Sequence, residues 1–127
     1  MKNKVERTIG IRGIGKLEAE IFAMICEDFK RPVTVRDIYE AMRLKRKIAY
    51  TTVMSVMVAL TTKKLINQNK SGMAYKYTPT ISNYTLAKKL MNDITIMLLR
   101  KELKDLPVYN ILESKDANIS SFNRLKA

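Results

Sequence analysis

A mainly α fold with one small β hairpin is predicted by three observations. Apolar residues recur at helical spacing in four separate stretches. Two short polar–apolar runs meet at Ser71-Gly72, between the third and fourth stretches, as the strands of a hairpin do. The polar and charged residues then fall at the ends of these elements, where caps and turns need them.

The first stretch is Leu17, Ile21, Met24 and Ile25, one face of a helix from about Lys16 to Asp28. Glu18 and Glu20 sit in its first turn, where the helix dipole favours acids. Pro32 separates it from the second helix. Thr34 followed by Asp37 places a hydroxyl at N-cap and a carboxylate at N3, close to a capping box. Val35, Ile38, Ala41 and Met42 form the inner face of that helix, and Val33 fits a brief strand before it. Leu44-Lys45-Arg46-Lys47-Ile48 makes a tight, highly charged turn. The third helix runs from Ala49 to Lys64 with Val53, Val56, Met57 and Leu60 inward. Its other face carries Tyr50, Thr51, Met54, Ser55 and Val58.

The hairpin follows, with Tyr75 and Tyr77 on one face and Lys76 on the other. Pro79 closes it. Ser82 caps a long fourth helix to about Lys104. Leu86, Leu90, Ile94, Met97 and Leu98 mark its apolar face, widened by Ile96, Leu99 and Leu103. A face so broad suits burial against a second copy of the chain. After Pro107, the residues Val108, Ile111 and Leu112 give one or two more turns. Asp116 to Ser121 reads as a loop, and Phe122 and Leu125 fit a last short helix. Residues 1–15, with Gly10, Gly13, Gly15, Arg7 and Arg12, read as a flexible basic arm. The expected organisation is therefore an arm (1–15), a helical unit with a hairpin (16–80) and a helical dimerisation region (81–127).

Composition narrows the function. The 127 residues carry a formal charge of +12. From Ala41 to Asn92 there are ten Lys or Arg and no Asp or Glu, while residues 1–40 and 93–127 are each at +1. A folded surface of one sign attracts polyanions. The chain has no histidine, which removes imidazole bases and Cys/His zinc sites, so neither a catalytic residue nor a metal ligand set can be named. Cys26 is single and reads as a buried small hydrophobe. No cofactor is implied. No apolar run approaches the length that spans a bilayer, and no signal peptide pattern opens the chain, so a cytoplasmic protein without membrane contact is expected.

Helix, helix, helix, hairpin, with positive charge around the third helix, is the order of a winged helix-turn-helix. Such a recognition helix enters a major groove about 12 Å wide, so its outer side chains are small or selectively polar. Tyr50, Thr51, Met54 and Ser55 fit as base-reading residues of double-stranded DNA. Two alternatives remain: Tyr50 as a core residue, and Met54 with Val58 packed on the second helix. Arg43, Lys45, Arg46, Lys47, Lys63, Lys70 and Lys76 fit as backbone contacts.

Several segments resemble the BlaI/MecI/CopY family of transcriptional repressors. Pro32-Val33-Thr34-Val35-Arg36-Asp37-Ile38-Tyr39-Glu40-Ala41 is similar to its second helix. Arg46-Lys47-Ile48-Ala49-Tyr50-Thr51-Thr52-Val53-Met54-Ser55-Val56 is similar to its recognition helix. Gly72-Met73-Ala74-Tyr75-Lys76-Tyr77-Thr78-Pro79 resembles its wing, and Gly15-Lys16-Leu17-Glu18-Ala19-Glu20-Ile21 its first helix. The resemblance covers roughly residues 14–79. It implies a homodimeric repressor on a palindromic operator, held together by C-terminal helices, with an unidentified sensor or protease as a further partner. Lys64-Leu65 stands where the family usually has Lys-Gly, and Met73 where an Arg commonly follows the wing glycine. The copper branch's cysteine cluster is lacking. The alternative function is a winged-helix adaptor that coats DNA without sequence preference or binds protein.

Overall fold

A computed structural model describes residues 13–115. Most of the expected arm, with Arg7, Gly10 and Arg12, lies outside the described residues, as do the loop at Asp116–Ser121 and the short helix at Phe122 and Leu125. The elements are α1 (Lys16–Glu27), α2 (Val35–Arg43), α3 (Tyr50–Thr62), β1 (Ile66–Ser71), β2 (Ala74–Pro79), α4 (Asn83–Leu99) and a 3₁₀ turn at Leu103–Asp105. Residues 108–115 are helical again. The predicted mainly α fold with a small β wing is what the chain adopts.

Lys16–Thr80 forms one compact unit. In it α3 packs on both α1 and α2, and α1 meets β2. Of the inward residues expected from spacing, Ile21, Met24, Ile25, Ile38, Met42, Val53, Val56, Met57 and Leu60 are sealed off, with Phe22, Cys26, Ile66 and Tyr77 filling between them, while Leu17, Val35 and Ala41 are only half-buried. Burying each large aliphatic side chain contributes about 1.5–3 kcal/mol. Val33 is buried as well. Its N–H donates to the Tyr77 carbonyl at 3.0 Å and its carbonyl accepts from the Tyr77 N–H at 2.7 Å, so a single bridge ties the α1–α2 connection to the wing.

The α2 cap is the predicted one. Thr34 Oγ1 accepts from the Asp37 N–H at 3.1 Å, and Asp37 Oδ2 accepts from the Thr34 N–H at 2.9 Å. Arg31 Nη1 donates to the same carboxylate at 2.9 Å. That bond from Arg31 leads the causes that hold the Asp37 carboxyl below its ordinary pKa, aided by the Thr34 N–H. A carboxyl whose pKa is lowered by folding stabilises fully above the ordinary carboxylate range, and the gain fades as pH falls through the lowered value. Asp37→Ala should therefore cost about 1 kcal/mol at neutral pH. Below about pH 4 the deficit relative to the parent should shrink. Thermal melts at the two pH values check both; a deficit unchanged by acid would remove the carboxylate from the account.

The hairpin register pairs Ile66 with Pro79 and Ser71 with Ala74. The turn is thus centred on Gly72-Met73 rather than on Ser71-Gly72. Gly72 takes φ +66°, the left-handed region, as the first central residue of a type II′ turn requires. Tyr75 and Tyr77 share a face but not an environment. Tyr77, beside the Val33 bridge, is 5% exposed, while Tyr75 lies nearer the tip and is 49% exposed.

The second compact unit holds, among the described residues, 13–15 and 81–115. Ile14 is buried. Ser82 Oγ caps α4 by accepting from the Thr85 N–H at 2.9 Å, as expected. The far end departs from expectation. α4 stops at Leu99, not near Lys104, because Arg100 turns to φ 58° and its N–H bonds back to the Ile96 carbonyl. Asn92 Oδ1 then accepts from the Leu103 N–H at 2.8 Å, and Leu103 is buried in the 3₁₀ turn instead of extending the helix face. Lys88 Nζ pairs with Glu113 Oε1 at 2.7 Å, joining α4 to the 108–115 helix.

Candidate nucleic-acid interface

α3 begins abruptly. Ala49 at its N-cap is extended and offers no side-chain acceptor, so the first backbone N–H groups of the helix have no side-chain cap. Such a terminus favours an anion. Lys45 and Lys47 stand just before it, exposed and without an ion pair among the described residues. Leu44 is exposed in the same turn.

Along α3, all four expected base-reading residues face solvent. Tyr50, Thr51, Met54 and Ser55 are exposed, and so is Val58. Met54 and Val58 are 45% and 60% exposed, so neither is a core residue. Thr51, Met54, Ser55 and Val58 line one shallow depression. Tyr50 is neither core nor loose. Its ring stands edge-on to Tyr39 at 5.4 Å between centroids and 75° between planes. The Arg36 guanidinium lies 5.7 Å from the centre of the Tyr50 ring, and Arg43 the same distance from Tyr39. Tyr50 is thereby held by two α2 side chains at the start of α3.

The seven expected backbone contacts divide into two groups. Lys45, Lys47, Lys70 and Lys76 make no ion pair among the described residues, although Lys70 Nζ lies 5.6 Å from the Tyr75 ring centre. The other three meet acids from outside the basic block. Arg46 Nη2 reaches Glu20 Oε1 at 2.5 Å, Arg43 Nε reaches Glu40 Oε1 at 3.5 Å, and Lys63 pairs with Glu18. The block that lacks acids in sequence therefore acquires them in space. Exposed pairs of this kind are worth about 0–1 kcal/mol, so phosphate can compete for the cations.

One residue near the site escaped the sequence reading, and another was read without its backbone shape. Arg36 lies in the balanced N-terminal segment, and only its three-dimensional place over Tyr50 singles it out. Lys64 is the other. Its φ of 64° is left-handed, and its carbonyl accepts from Thr80 Oγ1 at 2.8 Å. The α3–β1 turn thus has the backbone shape that glycine favours, built on lysine at a steric cost of about 1–2 kcal/mol. The left-handed residue is Lys64, whereas the resemblance sets glycine against Leu65. At the wing tip Met73 is 98% exposed, with its thioether where a cation was expected from the resemblance.

The expected dimerisation residues lie in the other unit. Leu86, Leu90 and Ile94 are half-buried, while Met97 and Leu98 are exposed. No residue of α4 is fully buried.

With the fold in hand, comparison with known proteins is decisive. The model of the penicillinase repressor family matches residues 14–127. The chain belongs to that family. Two relatives are the "Transcriptional regulator BlaI" of Mycobacterium tuberculosis strains CDC 1551 / Oshkosh and ATCC 25618 / H37Rv. Each is 40% identical over 62 residues, covering 49% of this chain and 45% of the relative. The chain thus spans about half the length of the curated relatives it matches. The penicillinase repressor match extends well past the wing, beyond the roughly 14–79 that the sequence resemblance covers. Among the described residues no helix is long and apolar enough to cross a membrane, and no His, Cys, Asp and Glu cluster could hold a metal ion.

Proposed function

We propose that this protein is a transcriptional repressor that binds double-stranded DNA as a homodimer on a palindromic operator. The observation that carries this reading is the outer face of α3: small, hydroxyl-bearing and apolar side chains, open to solvent, beyond a helix start without a side-chain cap and flanked by Lys45 and Lys47. That face suits a major groove, and those lysines suit the phosphates beside it. The family membership and the name of the mycobacterial relatives support regulation of transcription, a binding role rather than an enzymatic one. Tyr50, Thr51, Met54 and Ser55 are the base-reading residues of the proposal. Lys45, Lys47, Lys70 and Lys76 are its backbone contacts, with Arg43, Arg46 and Lys63 joining when phosphate displaces Glu40, Glu20 and Glu18. The 81–127 region, through α4, supplies the dimer contact. A role on chromosomal DNA places the protein in the cytoplasm.

The test is a gel shift against the region upstream of its own operon, with excess unrelated duplex at moderate salt. A discrete complex that survives the competitor is the expected result. Equal affinity for random duplex would favour the DNA-coating or adaptor role instead. A sensor protease encoded beside this chain would add cleavage as the releasing step.

A further inference from the structure

The recognition face of α3 is unusual in what it omits. From Tyr50 to Thr62 the helix reads YTTVMSVMVALTT, with no Lys, Arg, Asn, Gln, Asp or Glu. Arg and Lys read guanine through O6 and N7, Asn and Gln read adenine, and carboxylates accept from cytosine. None of these groups is available along the helix. What faces outward instead is the depression of Thr51, Met54, Ser55 and Val58, spaced 3, 1 and 3 residues apart on one side. Met54 and Val58 are the apolar pair in it, and both are open to solvent.

The floor of a major groove offers such a pair one apolar partner, the 5-methyl group of thymine. Charge decides that the occupant is duplex DNA and not an apolar helix. Lys45 and Lys47 stand before the patch and Lys64 after it, none paired with an acid among the described residues. An apolar protein segment would gain nothing from this cationic frame, whereas two flanking phosphate strands would. We propose that the operator half-site is read through thymine 5-methyl groups seated against Met54 and Val58, and that guanine is not read by α3. This deepens the DNA-binding reading above and rests on it. Thr51 and Ser55 share the depression with them, and their hydroxyls suit either a base edge or a phosphate.

The experiment begins with the full chain and a random duplex library, from which bound sequences are selected at moderate salt. The enriched site is then resynthesised with deoxyuridine in place of each thymine, which deletes the methyl and leaves pairing and hydrogen bonding intact. Affinity should fall about fourfold for each helix-facing thymine so replaced. In the Met54→Ala, Val58→Ala double variant the same replacement should change affinity by much less, since the partner of the methyl is gone. Both positions are exposed, and a melt compared with the parent checks the fold. An enriched site that is indifferent to uracil, or that carries guanine as its required helix-facing base, overturns this inference while leaving sequence-specific binding in place. No enriched sequence at all overturns the DNA-reading role itself.

Discussion

Ile94→Asp is expected to yield monomers in sedimentation and to weaken operator binding by about 100-fold or more. Ile94 lies midway along the α4 stripe of Leu86, Leu90, Ile94, Met97 and Leu98 and is only half-buried in the single chain. Beyond it Ile96, Met97, Leu98 and Leu99 are all exposed. A second copy would remove this surface from water. A carboxylate at its centre would then have to be desolvated without a partner, which association cannot repay. The loss at the operator follows by a separate route. In a dimer the second half-site contact is intramolecular, and its effective concentration vanishes when the subunits part. A dimer that persists with undiminished operator affinity would move the subunit contact off α4. The Ile94 stripe lies in a different compact unit from the recognition helix, so the base-reading surface should be untouched by the change.

The second large effect concerns salt. Replacing both Lys45 and Lys47 with Gln should remove about four phosphate contacts per dimer. The slope of log affinity against log salt should become shallower by about 3.6, so that the penalty between about 50 and 200 mM salt shrinks by about 100-fold. Thermal stability should not move, because neither lysine has an ion pair among the described residues to lose. Titrations of operator binding at several salt concentrations measure the slope directly. An unchanged slope would assign the phosphate contacts to the wing or to the paired cations.

The sequence told a good deal about the winged unit because its signals are local. The Thr34–Asp37 cap, the inward spacing of α1 to α3 and the Gly72 turn each follow from a few neighbouring residues, and each appears in the fold. The inward stripe from Val53 to Leu60 was legible too, but it left open whether Tyr50 and Met54 face solvent, which the fold shows they do. What the sequence concealed was long-range. Glu18 and Glu20 are separated from Lys63 and Arg46 by tens of residues, and only the packing of α1 on α3 brings them together. The end of α4 was hidden for a different reason. Leu103 continues the apolar period perfectly well, but the Asn92 side chain captures its N–H and bends the chain after Arg100. Lys64 defied its own residue type, adopting a backbone that a reader would reserve for glycine.

The glutamates of α1 bear on how fast such a protein finds its target. By holding Arg46 and Lys63, they damp the field of the surface while no operator is bound. On the proposed function, contact with arbitrary DNA would then be brief, because fewer counterions are released at each stop. On the proposed operator, the full cationic complement would be mobilised where base contacts keep the complex in place long enough for the glutamates to let go. On the proposed function, Glu18 and Glu20 would thus trade grip for mobility, shortening the search at the expense of the idle hold.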